Sequence, residues 1–208
     1  MRWGDRPVAP LLKGLNSMDA QKINVKYYLK DGGNIGPEDW FKTFNTWIPD
    51  PGDDVLIDVH DYSHMQAGPV ILLVGHYGNY GIDNTHGRLG LLYGRKQPLE
   101  GSFSERLRAA FLTTFQTCRR LEEDPNLKGR VTFQGDEAQL VLNDRLLAPN
   151  TEETLAAVAP DLKGLLEALY PGADVDFKHN PDPKQRVTLD IKADGTWDMA
   201  TLLKNIQA

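Results

Sequence analysis

Apolar and polar positions divide the chain into a short series of strands and helices. Lys22–Leu29 begins with polar and apolar residues in alternation, the period of a strand with one buried face, and Asp31-Gly32-Gly33-Asn34 ends it. Pro37 followed by Glu38 and Asp39 marks a helix start, because proline has no amide to lose there and the acids face the positive end of the helix dipole. Trp40, Phe41, Phe44, Trp47 and Ile48 recur at helical spacing as a core face, and Pro49-Asp50-Pro51-Gly52 breaks the helix. Val55–Val59 reads as a strand with Val55, Ile57 and Val59 on one face and Leu56, Asp58 and His60 on the other. Pro69–Val74 is continuously apolar and predicts a central strand covered on both faces. Leu89–Tyr93 is a further strand weakened by Gly90 and Gly94.

Ser102 with Glu105 forms a capping box, and the stripe Phe103, Leu107, Ala110, Phe111, Thr114, Phe115, Cys118 and Leu121 predicts a long helix to about Glu122. Val131–Gln134 and Ala138–Leu142 read as a hairpin around Gly135-Asp136. Asn150 with Glu153 predicts the cap of a helix carrying Leu155, Val158, Leu162, Leu165, Leu166 and Leu169, kinked or restarted at Pro160. Val175–Lys178 and Arg186–Lys192 are strands, and Trp197–Ile206 is a short amphipathic helix. The expected fold is α+β: a mixed, largely antiparallel sheet, or two abutting sheets from two related halves, packed by three main helices near 37–48, 102–122 and 151–170. The expected organisation is an N-terminal extension over 1–21, then one domain over 22–208 with sub-halves 22–128 and 129–208, since strand pairs leading to a capped helix occur in both.

Composition narrows the class. Of 208 residues 40% are apolar and 25% charged, which fits a globular chain and excludes wholesale disorder. The longest apolar run, Val70–Val74, is far below a bilayer span, so no transmembrane helix is expected. A single cysteine, Cys118, excludes a disulfide framework, and its place on the helix stripe makes it a core residue. Val8–Leu12 is too short for a signal-peptide core, so a reduced, cytoplasmic location is expected. Met18 is one candidate natural start, everything before it then being an upstream extension; a loosely ordered native tail beginning at Met1 is the other.

Candidate chemistry gathers in one third of the chain. His60, His64, His76 and His86 follow one another closely, interleaved with Asp58, Asp61 and Asp83. Imidazole and carboxylate are accepted ligands of divalent metals, so His60, His64 and His76 with Asp58 form a candidate metal set if their strands are neighbours. His76 with Asp83 is a candidate oriented general base. Gly75–Arg88 is rich in glycine, tyrosine and asparagine, a composition that lets backbone approach a ligand; Tyr77, Asn79, Tyr80, Asn84 and Arg88 are its candidate ligand-binding residues. It is neither a phosphate-binding P-loop nor a dinucleotide fingerprint.

The net charge of −6 conceals a division: residues 87–120 carry seven bases against two acids, and residues 121–183 carry 13 acids against five bases. Arg95, Arg106 and Arg108 extend the candidate ligand set into this basic block, which suits an acidic protein partner, a small anion or head-to-tail self-association. Nucleic acid is disfavoured by the overall charge and by the absence of any recognisable binding motif. Two functions follow as expectations. One is a binding or accessory protein that recognises a partner or small anion through the basic helix face and the Gly/Tyr-rich loop. The other is a metal-dependent, hydrolase-type enzyme using the His/Asp cluster at 58–86.

Overall fold

A computed structural model describes residues 18–30 and 35–208; the expectations for residues 1–17 and for the Asp31–Asn34 turn lie outside the described residues. The order is β1 (Ile23–Leu29), α1 (Pro37–Trp47), β2 (Leu56–Asp61), β3 (Pro69–Gly75), β4 (Gly78–Asp83), β5 (Gly90–Arg95), α2 (Phe103–Glu123), β6 (Phe133–Leu142), α3 (Glu152–Leu169), β7 (Val175–His179), β8 (Val187–Ala193) and α4 (Met199–Gln207). The fold is α+β. The eight strands form a single sheet in the order β2-β3-β4-β5-β1-β6-β8-β7, and every pairing is antiparallel. One sheet therefore runs through both parts of the chain, in place of a mixed sheet or two abutting ones. Within it β1-α1-β4-β5-α2 and β6-α3-β7-β8-α4 are topologically equivalent: in each the first strand pairs with the last, and β1 joins β6 at the centre. The β2–β3 hairpin extends the first of these units to the sheet edge.

Helices cover one face. Tyr27 of β1 meets Phe115 and Phe111 of α2 edge-on, with ring centroids 5.2 and 6.3 Å apart. All three side chains are removed from solvent, each worth about 1.5–3 kcal/mol of transfer free energy for a ring of this size. Below them the Tyr27 hydroxyl lies 3.0 Å from that of Tyr170, which donates in turn to the Gly135 carbonyl at 2.8 Å. Cys118 is wholly buried on the same stripe, and burial raises its thiol well above the ordinary range. Among the described residues no helix is long and apolar enough to cross a membrane.

Several local expectations change in three dimensions. Leu56 faces Gly75 and Asp58 faces Val74, so Ile57 is an extra residue in β2. That bulge resets the alternation: Leu56 and Val59 turn inward, whereas Val55 and Ile57 are exposed. In β3 only Ile71, Leu73 and Gly75 are buried, because helices cover one face of the sheet and not both. Phe41 is 39% exposed, off the α1 core stripe formed by Trp40, Phe44 and Trp47. The hairpin expected around Gly135-Asp136 is one continuous strand, β6. Tyr27 faces Ala138 and Leu29 faces Phe133, so Tyr28 alone spans Gln134–Glu137 in a wide bulge. Thr151, not Asn150, caps α3, its side chain accepting from the Thr154 amide. Asn150 instead donates to the Asn180 and Asp182 carbonyls. Helix α3 continues through Pro160. Met18 to Gln21, expected to be part of an extension, are held to the domain: Ala20 is buried, the Met18 carbonyl accepts from Arg106 and the Gln21 side chain from the Leu99 amide.

The opposite face of the sheet bears no helix among the described residues and carries charge. Lys26, at its centre, bonds Asp83 at 2.5 Å with both side chains almost fully buried. Arg88 stacks 3.7 Å from the Tyr28 ring centroid and pairs with Glu137, which also accepts from Lys192 at 2.7 Å. Lys192, then Arg88, hold the Glu137 carboxyl below its ordinary value against the opposing effect of burial. The stability Glu137 contributes is thus present above its unfolded pKa, near 4.5, and lost as pH falls through the lower folded value. Urea unfolding from about pH 6 to about pH 3 should therefore show a shallower loss of stability in Glu137→Gln than in the parent. Equal slopes would exclude this linkage.

Candidate functional site

An aromatic hollow of about 550 Å³ lies on the helical side, between the β2–β5 part of the sheet, α2 and the Pro49–Asp54 connection. Its walls are built by register. Tyr93 of β5 faces Tyr80 of β4, which faces Leu73 of β3, so one row across three strands supplies two phenols and an aliphatic chain. The two phenol rings lie 5.3 Å apart. Trp47 at the end of α1, Tyr77 in the β3–β4 turn and Leu112 of α2 complete the apolar lining.

The glycines of the β3–β4 turn serve this wall. A Cβ on Gly78 would overlap the edge of the Tyr93 ring, 2.9 Å from Cζ, and a Cβ on Gly75 would lie 2.5 Å from Asp54 Oδ2. Glycine at both positions lets Tyr93 and Asp54 close onto the backbone. Asp54 fastens the turn: Oδ1 accepts from the Val55 and Tyr77 amides at 2.7 and 3.1 Å, and Oδ2 accepts from the Tyr80 hydroxyl at 2.8 Å.

Two guanidinium groups reach the hollow. Arg120 stacks 4.2 Å from the Trp47 ring centroid and donates to the Asp50 carbonyl at 2.7 Å. Arg95 donates through Nε to the Gln97 carbonyl at 3.0 Å, and no carboxylate among the described residues forms an ion pair with it. Burial, reinforced by the Asp54 bond, raises the Tyr80 phenol far above its ordinary value. Burial also raises Tyr93, with Arg95 opposing. Both phenols therefore keep their protons at neutral pH. With Asp54 engaged at both oxygens and Asp53 on the exposed rim, the inner surface presents donors and aromatic faces.

The sequence candidates are distributed across the molecule. Tyr77, Tyr80 and Arg95 line this hollow. Asn79 belongs to a different hollow, on the helix-free face of the sheet. Asn84 sits half-buried after β4, and Arg88 is occupied by Tyr28 and Glu137. Arg106 is 6% exposed and binds the Gly101 and Met18 carbonyls, whereas Arg108 is exposed on α2. The basic helix face is thus divided between internal structure and solvent, because a 21-residue helix turns its arginines to several sides.

The histidines do not converge. Strands β2 and β3 are antiparallel, so His76 follows the end of β3 that lies beside Val55, while His60 faces Leu72 and His64 lies beyond Asp61 at the far end. Five residue steps of strand separate the two ends, about 17 Å. Asp58 and His60 form only an exposed contact of 3.6 Å. Among the described residues no group of three or more His, Cys, Asp or Glu side chains comes together to hold a metal. His76 and Asp83 are likewise at opposite ends of β4, and Asp83 is bound to Lys26 and Thr85 instead. The general-base pairing is not assembled.

Trp47, Asp54, Tyr93 and Arg120 were not legible as site residues. Their only sequence signals are aromatic residues within predicted elements, an acid after a Pro/Gly turn and a base at the end of the basic block, and packing of α1, α2 and the 49–54 connection against the sheet brings them together. No protein-family model matches this chain and no curated protein matches it, so the hollow is characterised by its own chemistry: aromatic walls, two protonated phenols and an arginine free of carboxylate partners among the described residues.

Proposed function

We propose that this is a binding protein that takes a small planar anion into the aromatic hollow, with Arg95 receiving the negative charge. The observation that carries the reading is the combination of Arg95 with the Tyr80–Tyr93–Trp47 wall in one hollow of about 550 Å³. That volume is within the usual range of small-molecule pockets, and stacked aromatics with a few convergent polar groups are their usual lining. Arg95 has no internal carboxylate partner among the described residues, and a guanidinium binds an incoming carboxylate through two parallel hydrogen bonds. The Tyr93 hydroxyl adds a neutral donor. A cytoplasmic location goes with this reading, since a chain with Cys118 as its one cysteine draws no internal disulfide from an oxidising compartment.

Thermal-shift titration with benzoate, 4-hydroxybenzoate and indole-3-acetate, set against benzyl alcohol, tests it. The carboxylates should raise Tm saturably and benzyl alcohol should not. Arg95→Gln should weaken carboxylate binding by roughly 10–100-fold, the equivalent of one charged hydrogen bond of about 1.5–3 kcal/mol. No carboxylate-dependent shift in the parent, or equal shifts in Arg95→Gln, would exclude it.

A further inference from the structure

A second hollow, about 540 Å³, lies on the helix-free face of the sheet, over β1, β4 and β5. Register places Asn79, Gly94 and Asn24 in one row across three adjacent strands. Gly94 leaves the space between the two carboxamides open; a Cβ there would lie 3.2 Å from Asn24 Oδ1. In the next row Gly81, between Leu72 and Leu92, deepens the floor.

Both carboxamides lack partners among the described residues. Asn79 Oδ1 is buried with no hydrogen bond, and Asn24 is 9% exposed with no side-chain hydrogen bond to another described residue. The buried Asn79 Oδ1 without a hydrogen bond is destabilising, and its placement across one gap from a second carboxamide without a partner among the described residues is a feature that folding alone does not favour. Charge at this hollow is of one sign. Lys22, Arg95 and Lys96 contribute to its lining, and no carboxylate does. Lys96 is engaged with the Gly75 carbonyl at 2.8 Å, whereas Lys22 forms no ion pair with another described residue.

We propose that this groove is a second binding site, for a small hydroxylated anion of the sugar-phosphate or sugar-acid class. A carboxamide donates through nitrogen and accepts through oxygen, so Asn24 and Asn79, on either side of Gly94, match hydroxyls carried on one ligand, which do both. Lys22 at the rim takes the anionic group. The site is on the opposite face of the sheet from the aromatic hollow and shares Arg95 with its lining, so its test rests on Asn24, Asn79 and Lys22, none of which lines the aromatic hollow.

The test uses the full chain, titrated with glucose 6-phosphate, ribose 5-phosphate and gluconate, with glucose and inorganic phosphate as comparators. Calorimetry gives affinities, and NMR follows the side-chain amides of Asn24 and Asn79. At least one of the three hydroxylated anions should bind saturably and shift both amides, and glucose and phosphate alone should each bind at least about tenfold more weakly. The phosphates against gluconate then distinguish the two sources of charge. Lys22→Gln, a change at the rim, should weaken binding by about tenfold or more. Asn79→Leu should abolish binding while Tm stays level or rises, because an unpaired buried acceptor has been removed. The proposal is overturned if no hydroxylated anion binds, if phosphate alone binds as tightly, or if Lys22→Gln and Asn79→Leu both leave affinity unchanged.

Discussion

Asp83→Ala is expected to lower the free energy of unfolding by about 3–5 kcal/mol, the usual effect of removing one partner from a buried ion pair. Lys26 and Asp83 come from β1 and β4, two strands apart in the sheet, and both side chains are almost wholly buried. Asp83 Oδ1 accepts from Lys26 at 2.5 Å and from the Thr85 amide at 3.1 Å, and Oδ2 from the Thr85 hydroxyl at 2.9 Å. Without the carboxylate the ammonium remains buried with no counter-charge. The double variant Lys26→Met/Asp83→Leu should regain most of the loss, since apolar groups of similar volume remove both desolvation penalties.

A pH signature accompanies this effect. Burial already holds Lys26 below its ordinary value of 10.5, with Asp83 opposing the shift. Removing Asp83 lowers the folded pKa further, while the unfolded chain keeps its proton up to the ordinary value. The unfolded state then binds more protons across that interval, so stability rises with pH and the deficit of Asp83→Ala shrinks from about pH 7 towards about pH 10. Guanidinium unfolding across this range measures both effects. A deficit below about 1 kcal/mol at pH 7 would show that the pair is not a coupled, dehydrated unit.

Gly135→Ala should cost about 3 kcal/mol, at the upper end for an overpacked core. A Cβ at this position would lie 2.5 Å from the Trp197 carbonyl carbon and 2.9 Å from its Cβ, and backbone cannot move aside as a flexible side chain can. The Gly135 carbonyl also accepts the Tyr170 hydroxyl at 2.8 Å, and the Tyr170 and Trp197 rings meet edge-on with centroids 5.3 Å apart. Displacing Gly135 therefore disturbs three contacts that join β6, α3 and the segment leading into α4. Chemical denaturation gives the magnitude, and a change in tryptophan fluorescence of the folded state locates it. Stability within about 0.5 kcal/mol of the parent, the range of an ordinary surface substitution, would mean that the Trp197 segment does not seat against β6.

Gly135 also shows why the sequence is incomplete evidence. Gly135-Asp136 between two apolar runs has the composition of a hairpin turn, and glycine is equally at home in a bulge where another backbone approaches closely. Choosing between them needs knowledge of Trp197, which is distant in sequence and separated from Gly135 by α3, β7 and β8. The same limit applies to Ile57, where one extra residue in an edge strand reverses which apolar side chains face inward. Asn150 and Thr151 are both competent helix caps, and the choice falls to Thr151 because His179 engages Asn150 Oδ1, the atom a cap would use, while the Asn180 and Asp182 carbonyls hold its Nδ2.

Sequence by itself determined the parts governed by short-range physics. The α+β class, the three long helices with their apolar stripes, the Ser102–Glu105 capping box and the burial of Cys118 depend on periodicity and on neighbours a few residues away. Tertiary structure decided what depends on register between distant strands. It paired Lys26 with Asp83, set Tyr80 beside Tyr93 and aligned Asn24 with Asn79 across Gly94. It also carried the histidines, clustered in the sequence, to opposite ends of one hairpin. The reason is geometric: an antiparallel strand advances about 3.4 Å per residue, so residues close along the chain separate quickly, while side chains on adjacent strands lie about 5 Å apart whatever their distance in sequence.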